Sequence, residues 1–420
     1  MNTSPALDEA IIDTELRHIK FFNGRLLTGG DLEAEQSAQH AHSRHLGEAI
    51  GAGVAFGLEV TPADTSPPDD PIVNITAGLA VNRAGQTLRL QCDQRVALLR
   101  PPDPANADTC IFNDCDPKAA GTTLASGTGF YVLLIAPASR SEGKTKVSGL
   151  GNDAALCNSQ FNSEGVKFRL LRLNVAAGAN ASQVRNAVAY QCFGLRETSA
   201  NDFAQGALTR TPPSRRGIEA LVPSGYLTTG DVPLAIIEWK AGGIGFVDQW
   251  PARRRISRPA ASVLWDPLLG DNRLAEGEAM LAQFQDQIGD LRAVVNADRT
   301  RAVEHFRYLP PVGIVPLANN RFANGFHDEL FFDTITRHPL VHIEGARLEA
   351  LLRAALHYPP VDLNSRVMLW VYRVRENEQA VTKANTPPFV QPHMIFTTGH
   401  MAFMGDPHYD VNRWDFSNWA

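Results

Sequence analysis

Residues Asn272 to Phe306 read NRLAEGEAMLAQFQDQIGDLRAVVNADRTRAVEHF, and this stretch divides the chain. Leu274, Leu281, Ile288, Val295 and Ala302 recur every seven residues, and Gly277, Phe284, Leu291 and Asp298 take the intervening places. A repeat of this kind predicts one helix over 272–306 with a narrow seam. Two arrangements use such a seam: the helix packs one stripe on its own domain, or copies of the chain meet along it. The flanking Gln285, Gln287, Asp290 and Arg292 are polar, so the stripe is narrower than an ordinary core-facing side and favours the second arrangement. The expected oligomer seam is Leu274, Leu281, Phe284, Ile288, Leu291 and Val295. Gly277 and Asp298 bound its well-packed part.

On the N-terminal side, from Val54 to about Trp250, short β runs alternate with Gly, Pro and Asx turns. Val54–Val60, Ile72–Thr76, Leu79–Asn82, Thr87–Leu90, Val96–Leu99, Phe130–Ala136, Val166–Leu173, Val188–Phe193 and Val232–Trp239 are the expected strands. Their spacing, without crossover helices, predicts an antiparallel sandwich or barrel. Pro101–Gly129 and Ser139–Ser163 read as surface loops. Arg253-Arg254-Arg255 marks a basic linker.

On the C-terminal side, the composition changes after Leu309-Pro310-Pro311, where seven of the twelve histidines and four of the six methionines fall. Glu344–His357 reads as an amphipathic helix stopped by Pro359-Pro360, and Val367–Val374 and Met394–Thr397 as strands. The fold class is therefore mainly β with α: an N-terminal helix, an antiparallel β-sandwich or barrel region, a heptad helical neck and a small α+β C-terminal domain. The expected divisions are 1–260, 261–309 and 310–420. Phe331, Phe332, Trp414, Phe416 and Trp419 supply contact area for a partner if exposed, and core if buried.

The first 20 residues read as a polar arm. Phe21-Phe22-Asn23-Gly24-Arg25-Leu26-Leu27 follows, with a strong turn dipeptide between apolar pairs. Thr28 and Asp31 have the spacing of a capping box opening a helix that closes at Gly51 or Gly53. Phe21 and Phe22 either close the sandwich core or stand out as an anchor for a partner. The seven residues from Phe21 to Leu27 are the docking candidates.

Several chemistries find no support. The net charge of −6 argues against a nucleic-acid partner. No run approaches a spanning helix, and the acidic first residues lack the pattern of a Sec leader, so synthesis in the cytoplasm is expected. Five cysteines make no disulfide scaffold, and Cys110 with Cys115 lacks the remaining ligands of a zinc site. Gly143-Lys144-Thr145 has no first glycine and no following helix to hold phosphate. His40, His42 and His45 lack the carboxylate of a metal pair, and His393, His400, Asp406, His408 and Asp410 match no ligand geometry. No cofactor, metal or catalytic residue is therefore expected.

The stretch Phe21–Val60 carries a resemblance: Phe-Phe-Asn-Gly-Arg-Leu-Leu-Thr, then Asp31-Leu32 with Glu35-Gln36, then Gly53 through Gly57-Leu58-Glu59-Val60. It resembles an uncharacterised bacterial family encoded beside phage-tail-like contractile injection systems. The likeness continues through Ile343–Arg353 and Pro359–Arg375. In order of elements the chain is also similar to the type VI secretion baseplate subunit TssK and to phage receptor-binding proteins. The resemblance implies a non-enzymatic trimer assembled into a tail-like particle and docked on baseplate or tail proteins, whose C-terminal head meets a receptor or membrane-anchoring partner. A carbohydrate- or surface-binding β-sandwich module is the alternative, and a hydrolase a further one.

Overall fold

The structure, a computed structural model, describes residues 14–63, 71–98, 128–143, 145–146, 157–176, 181–194, 217–240, 243–258, 271–293, 296–319, 322–365, 368–377 and 391–399. Helix α1 (Gly29–Ile50) leads into six short strands: β1 (Gly53–Gly57), β2 (Val60–Pro62), β3 (Ile72–Ile75), β4 (Gly78–Val81), β5 (Thr87–Leu90) and β6 (Gln94–Ala97). They form two antiparallel sheets, in the orders β1-β4-β5 and β2-β3-β6. The run Val54–Val60, expected as one strand, is split between them. Gly57 and Leu58 both have positive φ, +60° and +57°, which turns the chain out of one sheet and into the other.

A larger antiparallel sheet follows, from β7 (Gly129–Glu142), β10 (Phe161–Leu173), β11 (Val232–Lys240) and β12 (Gly243–Asp248), in the order β10-β7-β11-β12. The short pair β8 (Thr145–Lys146) and β9 (Cys157–Asn158) continues the β7–β10 hairpin. Much of Ser139–Ser163, expected as loop, is thus strand. Tyr131, Leu133 and Ile135 point into a core shared with Val54, Leu58, Val73, Ile75 and Leu88. Val132 and Leu134 point the other way, onto Val188, Cys192 and Leu221. A strand covered on both faces needs an unbroken apolar run, and Tyr131–Ile135 supplies it.

That second face is covered by α2 (Val184–Cys192) and α3 (Ile218–Leu221). Val188–Phe193, expected as a strand, lies in and just after α2. Val184, Val188 and Cys192 stand four apart, which puts all three on the face turned to the sheet.

The second half begins with α4 (Asp271–Arg292), followed by α5 (Ala302–His305), β13 (Tyr308–Leu309), β14 (Val312–Pro316), α6 (Asp328–Phe331), β15 (Thr336–Arg337), β16 (Val341–Ile343), α7 (Leu348–Ala355), β17 (Val361–Asp362), β18 (Met368–Val374) and β19 (His393–Thr397). Strands β14, β19 and β18 are antiparallel neighbours, and β15 and β16 pair with β18 in parallel. Sheet exceeds helix overall, as the fold class anticipates.

Two expectations about the heptad stretch are corrected. The helix ends at Arg292 rather than Phe306, and Asn296 takes a left-handed φ of +67° before a single 3-10 turn. The stripe is also already covered within one chain. Phe284 and Ile288 are buried among Phe306, Phe331, Phe332 and Phe396, with Leu291 half-buried against the same cluster. Leu274 and Leu281 pack on Leu351, Ala355 and Tyr372. Val295 lies outside the described residues. The polar flank that made the stripe look narrow is itself engaged. Gln285 accepts from the Ile314 amide at 2.8 Å and donates to its carbonyl at 3.0 Å, completing the edge of β14. Gln287 accepts from Asn186, Asp290 from Arg185, and Arg292 donates to Asn324 and Gln391. Phe284 and Ile288 thus offer no face to a second copy.

Gly277 sits where α4 touches the end of α7; a Cβ there would lie 2.4 Å from the Leu356 carbonyl oxygen. Gly277→Val should therefore lower stability by about 2 kcal/mol, the usual scale of overpacking. A denaturant midpoint equal to that of the wild type would contradict this contact.

Candidate docking surface

The N-terminal unit is built from local hydrogen bonds. The Arg25 amide donates to the Phe22 carbonyl at 3.2 Å, closing a turn in which Gly24 has a φ of +91°. Asn-Gly is favoured in such a turn because glycine enters this region without a Cβ clash. Arg25 then reaches the Lys20 carbonyl at 3.0 Å and the Asp31 carboxylate at 2.8 Å. The capping box forms as expected: Asp31 N–H donates to Thr28 Oγ1, and the Thr28 amide donates back to Asp31 Oδ2 at 2.9 Å. One turn further on, Glu35 accepts from the Ile19 amide at 3.0 Å and pairs with His18 at 3.1 Å.

This scaffold holds its apolar side chains outward. Phe21 is 58% exposed, Phe22 62%, Leu26 87% and Leu27 45%, so the pair does not close the sandwich core. Of the eleven large apolar side chains exposed among the described residues, eight lie between Phe21 and Phe56, which concentrates apolar surface at one end of the sequence. Their chemistry is that of contact, not reaction.

The densest group of buried polar side chains lies elsewhere, where α2, β12, α4 and β13 meet. Asp248 accepts from Arg185 at 2.8 Å, from Gln283 at 3.2 Å and from the Trp250 amide at 3.3 Å. The Tyr308 hydroxyl donates to Gln283 at 3.0 Å, and Asn186 accepts from the amides of Arg307 and Tyr308. Burial pushes the Asp248 carboxyl up against the pull of the Arg185 guanidinium, and burial raises Tyr308 well above the ordinary phenol range. Cys192 nearby is buried and pushed up to about 12, so its thiol stays protonated. These partners use their hydrogen-bonding capacity on one another. The cluster works as a joint between the two halves of the chain. Sequence reading passed over it because its members come from four separated elements.

The head candidates Phe331 and Phe332 are core: both are buried, with rings stacked edge-on at 4.9 Å. Among the described residues of the head, large apolar side chains are exposed at Leu340 and Met368, and His338 stacks on Trp370 with ring centroids 3.5 Å apart. Trp414, Phe416 and Trp419 lie outside the described residues. Among the described residues no group of three or more His, Cys, Asp or Glu is placed to hold a metal ion, and no helix is long and apolar enough to cross a membrane.

No family model matches the chain, and no curated protein matches it. Among solved structures, a crystal structure of TssK shares 9% identity with a TM-score of 0.27, over 67% of this chain and 51% of that one. The chain thus spans about half the length of that protein, and the likeness is too low to carry an argument about either fold or role.

The N-terminal clamp has a definite pH response. Hydrogen bonds from Thr28 and then Arg25 hold Asp31 below its usual 3.8, and the Ile19 amide and His18 hold Glu35 below its usual 4.5. A carboxylate lowered in the folded state stabilises above its unfolded pKa and loses that contribution as pH falls through the folded one. Amide exchange at Ile19, corrected for intrinsic rate, should therefore speed up below about pH 4 while the β7 amides stay protected. Protection at Ile19 unchanged down to the pH of global unfolding would contradict the clamp.

Proposed function

We propose that the chain is a non-enzymatic structural component of a contractile injection system or phage-like tail, attached to baseplate or tail proteins through its N-terminal unit. The observation carrying this reading is that Phe21, Phe22, Leu26 and Leu27 stand exposed on a turn fixed by the Arg25–Asp31 ion pair and the Thr28 capping box. Aromatic and aliphatic side chains held rigidly in water lose little conformational entropy on entering a partner's pocket, which is the character of an interface anchor. The sequence resemblance of the same stretch, Phe21–Val60, to proteins encoded beside such systems agrees with that assignment. The buried polar groups serve the fold, which supports a role in assembly rather than catalysis. In this reading the head meets a receptor or anchoring partner through the surface around Leu340, Met368 and Trp370.

Because Phe21 and Phe22 are exposed, Phe21→Ser with Phe22→Ser should leave the melting temperature unchanged. Attachment to isolated baseplates should weaken at least about tenfold, as loss of interface anchors does. Equal co-sedimentation of variant and wild type with baseplates would place the attachment elsewhere.

A further inference from the structure

We draw no further inference here: the strongest candidate, the outward face of helix α1 that carries the exposed Leu32, Leu46 and Ile50, has nothing in the structure to show what covers it.

Discussion

The structure depends on the burial of polar side chains along α4. Gln283 links the Tyr308 hydroxyl to the Asp248 carboxylate, Gln287 bonds Asn186, and Gln285 completes the edge of β14. A buried amide left without partners costs on the order of 1–3 kcal/mol, so these contacts hold the helix in one rotation and one register. With α4 so fixed, its apolar stripe lies on the C-terminal sheet, and Ala279 and Met280 share a cluster with Phe193, just after α2. The β-rich part and the head thereby share one helix. Among the described residues, most of the exposed large apolar side chains lie on α1 with the Phe21–Leu27 turn, with Leu340 and Met368 exposed in the head.

Local signals in the sequence were legible. The Asn-Gly turn, the Thr28–Asp31 capping box and the end of α1 at Gly51 rest on interactions between near neighbours, and the strand through Tyr131–Ile135 shows as an unbroken apolar run, all of which a short window contains. The apolar face of α7 was legible for the same reason, because Leu348, Leu351, Leu352 and Ala355 lie within two turns.

Long-range signals were not. The heptad of α4 has the same spacing whether its partner is a second copy or its own sheet. What decides between them is the hydrogen bonding of Gln285, Gln287, Asp290 and Arg292, whose partners lie tens of residues away. Val188 was misread because a β-branched residue beside an aromatic suits a strand, while its four-residue spacing to Val184 and Cys192 suits a helix on a sheet.

If the joint on α4 couples the halves, neither unfolds before the other. Differential scanning calorimetry of the full chain tests this most directly. A single endotherm whose calorimetric enthalpy equals its van't Hoff enthalpy is predicted, because melting either half strands the buried amides of α4. Two separable transitions would show that the β-rich part and the head are energetically independent, and would contradict the account.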